Sequence, residues 1–328
     1  MSKINKTINK TVKKENIIIK FIKDYYVPII FFSVFMVGNI ITILILSRNN
    51  PTPTPPPPPT PPPEKIVFNN ESLREAVKLF TENRDAAIKK YGIPNSWDVS
   101  QVTDMNKLFM DNNSFNEDIS NWDTSKVKNM SRMFAVSIFN NSNGIQTKKV
   151  NNNGKEYTAW NTSEVNNMEG MFAFSKFNQN ISNWNTSQVL NMSSMFLSNK
   201  SFNQDISKWD TSKVVNMFRM FSGSIFNNSN GIQTKKVIKN GNEYTAWNTS
   251  EVKNMEAMFA GSKFNQNISN WNTSNVENMA QMFFNSKFNQ NISNWKINCK
   301  CDISRMYNSS IISEKNKAIK DCDIENFF

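Results

Sequence analysis

The chain contains no histidine, and among its 328 residues it has only three cysteines and nine glycines. The absence of histidine removes the commonest general base and the commonest metal ligand of proteins. All three cysteines lie close to the C-terminus, so neither a disulfide framework nor a zinc module can organise the whole fold. The few glycines leave little room for phosphate-binding loops. These absences argue against a metabolic enzyme, and we expect no cofactor and no metal.

Positive charge is concentrated at one end of the chain. The net charge is +11, but seven lysines in residues 1–26, set against Glu15 and Asp24, supply +5 of it. Residues 64–328 carry about +5, a mild charge for a segment of that length. A nucleic-acid-binding protein needs a dense basic face, so we expect no nucleic-acid partner.

One long apolar run, Val27 to Ser47, reads VPIIFFSVFMVGNIITILILS. At about 1.5 Å per residue it spans roughly 31 Å as a helix, which is enough to cross a bilayer. We interpret residues 27–47 as an uncleaved transmembrane anchor. The lysine-rich tail of residues 1–26 then lies in the cytoplasm, and the C-terminal bulk lies outside the cell. A cleaved signal peptide is the alternative.

A proline-rich linker over residues 48–63 follows the apolar run. Residues 51–63 hold ten of the twelve prolines. Such a segment forms a stiff polyproline II rod, here about 40 Å long, which would hold a domain away from the membrane. The alternative is a PxxP ligand for a small recognition domain.

The rest of the chain is an internal repeat, which the tryptophans mark in register. A valine follows each of the first seven tryptophans by five residues, an Asn or Asp by seven and a Met by eight. A Met-Phe or similar pair and a second Phe come next. The steps between tryptophans are 24 or 25 residues, except two steps of 38 that carry about 13 extra residues. The tryptophans are Trp97, Trp122, Trp160, Trp184, Trp209, Trp247, Trp271 and Trp295.

This repeat predicts an α/β solenoid of 24–25-residue coils over residues 96–307. The spacing in Val-x-Asn-Met-x-x-Met-Phe indicates one or two helical turns, and Phe-Asn-Gln-Asp/Asn-Ile-Ser-x-Trp indicates a short strand. One unit cannot bury its own apolar side, but stacked units can. We therefore expect the Met, Phe and Trp columns to form the core. The recurrent Asn is expected to form a ladder to backbone groups at a turn, although a ligand contact is the alternative for that position.

The stretch NMSSMFLSNKSFNQDISKWDTSKVVNM, Asn191 to Met217, resembles the repeat of a mycoplasma surface-protein family of unknown function, itself similar to BspA-like leucine-rich repeat surface proteins. The resemblance covers roughly residues 96–307. It implies a right-handed, leucine-rich-repeat-like solenoid displayed outside the cell, and it suggests adhesion or binding of a host molecule. Many such proteins use a lipidated cysteine as anchor. No cysteine follows the apolar run of this chain, so its attachment departs from that pattern.

Stacked repeats need different ends. We predict a helical N-terminal cap over residues 64–95, with a Ser72/Glu75 capping box and a second helix from Asp85 to Tyr91. Residues 308–328 are the predicted C-terminal cap, with a closing helix in IISEKNKAIKDC. Cys299, Cys301 and Cys322 fall near this end, where one pair could bridge or all three could stay reduced.

The two long steps carry insertions near residues 140–159 and 227–246. Each has two strand-like segments around an Asn-Gly pair, which predicts a β-hairpin. The hairpins lie three coils apart, hence about 14 Å along the stack on the same side. Their side chains make a candidate ligand patch, formed by Lys148, Lys149, Lys155, Tyr157, Lys235, Lys236, Lys239 and Tyr244. The alternative is a pair of tolerated surface insertions in a duplicated block.

We therefore expect a membrane-anchored, surface-displayed module that binds without catalysis. Its partner would be a host or extracellular macromolecule, either a protein or an acidic glycan. The alternative is a structural surface-coat or spacer protein without a specific ligand. An enzyme is disfavoured because the acidic residues recur at turn positions or lie on the caps, rather than forming one unique cluster.

Overall fold

The computed structural model describes residues 66–152, 154–239, 241–320 and 322. These residues contain two α-helices, α1 (Asn70–Glu82) and α2 (Arg84–Tyr91), and short 3₁₀ turns at Pro94–Ser96 and Glu314–Asn316. They also contain two antiparallel hairpins, which pair β1 (Lys148–Asn152) with β2 (Lys155–Ala159) and β3 (Lys235–Lys239) with β4 (Asn242–Ala246). The remainder is a stack of coils.

The predicted cytoplasmic tail (1–26), transmembrane anchor (27–47) and linker (48–63) lie outside the described residues. Within the part that the structure describes, no helix has the length and apolarity needed to cross a membrane.

A ladder of backbone hydrogen bonds joins successive coils. The rung in each coil is the Asn or Asp seven residues after Trp, which forms a parallel bridge with its counterpart in the next coil. From that rung onward, alternate N–H groups donate to the next coil, as Met130 does to Asn167 O at 2.9 Å. The side-chain oxygen of Asn129 accepts the N–H of Ser131 at 3.0 Å and so shapes the turn. The predicted asparagine ladder is confirmed.

The helix predicted in each coil is wrong, because the Val-x-Asn-Met-x-x-Met-Phe stretch forms consecutive tight turns. Here Met133 N–H donates to Met130 O at 3.2 Å, while Arg132 N–H donates to Glu169 O of the next coil at 2.7 Å. A helix would use each of these N–H groups within its own coil. Turns free every second N–H for the neighbour and still place apolar side chains three and four residues apart.

These turns require the left-handed backbone region at residues that are mostly not glycine. Arg132 and Val136 both have φ of 55°. Such a conformation costs about 1–2 kcal/mol for an L-residue. The same two residues donate their N–H groups to the next coil, at 2.7 Å and 2.8 Å, and these bonds offset the strain.

A second ladder is made by side chains, at the stretch predicted to be a strand. No regular strand forms there; instead, the Asn after the second Phe of each coil accepts the N–H of its counterpart. Asn140 Oδ1 accepts from Asn178 N at 2.8 Å, and Asn178 Oδ1 accepts from Asn203 N at 3.0 Å. The side-chain amide oxygen therefore accepts the hydrogen bond that a backbone carbonyl oxygen accepts in a sheet. The accepting residues are Asn116, Asn140, Asn178, Asn203, Asn227, Asn265 and Asn289.

Buried tryptophan and threonine side chains also connect neighbouring coils. Trp184 Nε1 donates to Ile145 O of the preceding coil at 2.8 Å. Thr162 Oγ1 donates to Asn185 O of the following coil at 2.9 Å. Both donors have a hydrogen-bond acceptor. These bonds therefore compensate the cost of removing the polar atoms from water.

The core consists of stacked aromatic columns beside the methionines, as predicted. Centroids in the Met-Phe column are 5.3–5.9 Å apart between Phe109 and Phe283. The column of the second Phe has spacings of 6.1–6.5 Å between Phe115 and Phe288. Each coil thus buries its aromatic rings against the equivalent rings of its neighbours.

The N-terminal end is covered by α1 and α2. The N-cap of α1 is Asn69, which exchanges hydrogen bonds with Ser72, rather than the predicted Ser72/Glu75 pair. The predicted second helix is found one residue longer, at Arg84–Tyr91, and ends at Gly92 with φ of 75°. Arg74 of α1 donates to the first coil at Asn106 O, at 2.6 Å. The helix therefore satisfies acceptors at the open edge of the stack.

At the other end, the predicted closing helix is wrong. In its described residues 311–320 the structure has the 3₁₀ turn and a parallel bridge from Lys320 to Ile297, because the repeat's own ladders continue through it. Ser313 N donates to Asn289 Oδ1 at 3.0 Å, and Ile292 N–H donates to Asn316 O at 3.0 Å. Of the two readings of the cysteines, the structure has a disulfide between Cys299 and Cys322, with Cys301 buried as a free thiol.

The asparagine side-chain ladder gives a first prediction. Asn178→Ala removes the acceptor for Asn203 N and should lower the free energy of unfolding by about 1–3 kcal/mol, measured by urea denaturation. Asn178→Asp keeps an acceptor and should recover most of this loss. The control is Asn180→Ala, which removes the acceptor of a local turn bond from the N–H of Ser182. Equal losses in both alanine variants would contradict the ladder.

The disulfide gives a second prediction. It closes a loop of 23 residues, so reduction should destabilise the C-terminal coils by about 3 kcal/mol through the larger entropy of the unfolded chain. The measurement is urea unfolding followed by tryptophan fluorescence, with and without reductant. The Cys299→Ser/Cys322→Ser double variant should start at the lower stability and show no response to reductant.

Candidate functional site

The two insertions form β-hairpins, as predicted. Val150 faces Tyr157 in the first hairpin, and Val237 faces Tyr244 in the second. Gly154 has φ of 82°, a value that suits glycine in a two-residue hairpin turn. The protruding segments are shorter than predicted, because residues 140–145 and 227–232 remain in the path of the coil.

Each hairpin is fixed to the stack at its base and along one strand. Asn183 Nδ2 donates to Thr147 O at 2.7 Å, and the equivalent Asn270 Nδ2 donates to Thr234 O at 2.7 Å. These matching bonds attach both hairpins to the coils through equivalent residues.

The two candidate tyrosines anchor the hairpins through their hydroxyl groups. Tyr157 donates to Asn121 O at 2.6 Å, and Tyr244 donates to Lys208 O. Burial raises the pKa of both phenols; a second contribution comes from Asp123 for Tyr157 and from Asp210 for Tyr244. Both phenols therefore stay protonated and donate at neutral pH.

The four candidate lysines with described side chains do not form one free basic patch. Lys148 Nζ donates to Ser120 Oγ at 2.9 Å, and Lys236 Nζ forms an ion pair with Glu243 at 2.8 Å. Lys149 and Lys235 are exposed. The side chains of Lys155 and Lys239 lie outside the described part of the chain.

The carboxylate of Asp205 lies near Lys235 and carries the opposite charge. Burial of Asp205 would raise its pKa, but hydrogen bonds from Ser207 and Asn230, together with the charge of Lys235, outweigh burial and lower the pKa. Asp205 is therefore ionised and compensates part of the positive charge at the second hairpin.

A cleft of about 420 Å³ lies between the two hairpins. Its walls are the facing sides of the hairpins, and its floor is formed by the coils between them. The volume falls in the range of about 300–1,000 Å³ that is usual for ligand pockets. The lining residues are Thr147 and Thr158 of the first hairpin region, Asn242 and Tyr244 of the second, and Asn161, Thr162, Asn183, Trp184, Asn185, Thr186, Ser187, Lys208 and Asp210 of the floor.

The lining is dominated by hydroxyl and amide groups, and its two charged side chains have opposite signs. Of the candidate residues with described side chains, only Tyr244 contributes to the lining; the lysines Lys148, Lys149, Lys235 and Lys236 do not.

The sequence analysis did not predict the floor of the cleft. The sequence did contain a signal for the floor. Two hairpins that project from the same side of the stack, three coils apart, must enclose the coil surface between them. In the described ranges, no cluster of three or more acidic or cysteine side chains could hold a metal ion.

A family model described as "Mycoplasma protein of unknown function, DUF285" matches the chain at residues 68–155, 145–244 and 232–327. The chain belongs to this family. The three matches run in tandem, which confirms the repeat and the mycoplasma part of the resemblance; similarity to BspA-like proteins is not shown. No curated protein and no solved structure matches the chain.

The hairpins lie where the family matches overlap, at residues 145–155 and 232–244. One match therefore ends in each hairpin as the next begins. The cleft spans the middle match, from the hairpin at its start to the hairpin at its end.

The tyrosine anchors give a third prediction. Tyr157→Phe should increase hydrogen exchange of the first hairpin by about fivefold, since one hydrogen bond contributes about 1 kcal/mol. The second hairpin of the same molecule is the internal control and should be unchanged; Tyr244→Phe should reverse the pattern. A uniform increase over both hairpins in either variant would contradict local anchoring.

Proposed function

We propose that the chain is a membrane-anchored, surface-displayed repeat protein that mediates a non-enzymatic interaction, as an adhesin or a receptor for a host macromolecule. The observation that carries the proposal is the cleft between the two hairpins. A repeat stack supplies a long, rigid surface. Here that surface is interrupted twice, by equivalent projections with a concave space between them.

The rigidity of the hairpins supports a binding role. Protruding loops that bind a partner lose less entropy when they are held in place beforehand. The tyrosine hydroxyls and the asparagine amides at the hairpin bases provide this restraint.

The cellular placement belongs to the same proposal. The apolar run from Val27 to Ser47, the lysines before it and the prolines after it support a single-pass protein with a cytoplasmic N-terminus and an extracellular C-terminal domain. Kinship with BspA-like leucine-rich repeat surface proteins, and with it a leucine-rich-repeat-like solenoid path, is likewise proposed. The parallel stacking of short coils around an apolar core supports it.

A structural coat or spacer is the second candidate function. The unbroken ladders favour it, because they make a stiff rod that needs no ligand. The duplicated hairpins that form the walls of the cleft favour a binding function, since a spacer does not require a concave surface.

The test is binding of the full-length chain, solubilised in detergent, to host matrix proteins and acidic glycans at physiological salt. If the hairpin lysines hold an acidic partner, replacing all six by serine should weaken binding by at least about tenfold. The hairpin variant changes Lys148, Lys149, Lys155, Lys235, Lys236 and Lys239. The control variant makes the same charge change on the coils, at Lys107, Lys126, Lys128, Lys176, Lys263 and Lys287.

A loss in the hairpin variant alone places the site on the hairpins. Retained binding in both variants moves it to the cleft or the coil surface. If the chain binds no matrix protein and no glycan of any kind, the binding proposal fails and the coat or spacer function takes its place.

A further inference from the structure

We propose that the cleft between the hairpins binds a short, neutral, hydroxyl-rich oligosaccharide segment. This inference rests on the proposed binding function and names its ligand class. It departs from the acidic glycan expected from the lysines, because Lys148, Lys149, Lys235 and Lys236 are not among the residues that line the cleft.

The cleft offers groups that can both donate and accept hydrogen bonds. Threonine hydroxyls and asparagine amides each do so, and so do the hydroxyl groups of a sugar. Asn161 and Asn185 use their side-chain oxygens to accept the N–H groups of Ser163 and Ser187, both at 3.1 Å. This fixes the two side chains in place while their amide N–H groups remain for a ligand.

The charges of the lining favour a neutral ligand. Lys208 and Asp210 contribute one charge of each sign. Burying an anionic group requires a cation that pairs with it. Lys208 is the only cation in the lining within the described residues, and Asp210 sets an opposite charge in the same cleft. A sulfated or sialylated chain is therefore a poor fit, whereas a neutral chain carries no such cost.

Tyr244 supplies an aromatic wall. Its hydroxyl donates to Lys208 O, so the ring is held in one position. The face of an aromatic ring is electronegative and can pack against the polarised C–H groups of a pyranose. Because the ring is fixed before binding, the ligand does not have to order it.

The repeat provides a matched control surface one period of 87 residues further on. Asn272 accepts the N–H of Ser274 at 3.1 Å, as Asn185 does for Ser187. Thr245 pairs across its hairpin with Lys236, as Thr158 does with Lys149. Neither Asn272 nor Thr245 lines the cleft. Asn272 also accepts the hydroxyl of Ser274 at 2.8 Å, so its substitution should cost the fold at least as much as that of Asn185 and affect ligand binding less.

The experiment uses the full-length chain in detergent and an array of short neutral hexose and N-acetylhexosamine oligosaccharides. Sulfated and sialylated counterparts and matrix proteins are separate arms. We expect binding to neutral sugars that changes little between low and high salt. Asn185→Ala and Thr158→Trp should each weaken it by about tenfold or more. Asn272→Ala and Thr245→Trp should leave the affinity unchanged and lower the stability at least as much as their partners.

Equal loss of affinity in a cleft variant and its control would overturn the inference. Binding of acidic glycans or matrix proteins without neutral sugars would also overturn it, but would leave the proposed binding function standing. Binding in no arm would overturn both. The alanine and tryptophan pairs act independently, one by removing a hydrogen-bonding group and one by filling space, so a fold defect in one pair leaves the other decisive.

Discussion

Alternate N–H groups of each coil donate to carbonyl oxygens of the next coil, and the rest of the described structure follows from this ladder. The ladder uses backbone N–H groups that would otherwise form hydrogen bonds within a helix, so each coil is built from turns. The turns need positive φ at residues such as Arg132 and Val136, and the inter-coil bonds compensate the strain. Where the backbone ladder stops, asparagine, threonine and tryptophan side chains continue it.

The same ladder explains how the stack accommodates two hairpins without losing register. The chain leaves the coil after Ile145 and returns at Trp160, whose N–H donates to Trp122 O at 2.9 Å and whose indole donates to Ile119 O at 2.9 Å. The returning residue has φ of 47°, so the re-entry is strained and held by these two bonds. The spacing of the coils thereby sets the width of the cleft.

The hairpin strands and the cleft lining differ in chemistry. Lysines lie on the strands and partly interact with Ser120 and Glu243, whereas the cleft between the hairpins is lined by hydroxyl and amide groups. A charged partner would therefore contact the strand lysines and an uncharged partner the cleft lining, although Lys149 and the lining residue Thr158 share one face of the first hairpin. That division is why the ligand class depends on which surface is used.

The sequence by itself determined the repeat, the aromatic and methionine core, the first-cap helices and the hairpins, because each rests on local spacing or turn chemistry. The path of the backbone within a coil was decided only by tertiary structure. Apolar residues three and four apart fit a helix and a run of tight turns equally well, and the choice depends on hydrogen bonds to residues 23–38 positions away. The cleft was decided in the same way. Its floor residues Asn185, Lys208 and Asp210 occupy ordinary repeat positions, and they become a site only because two walls from other coils stand on either side of them.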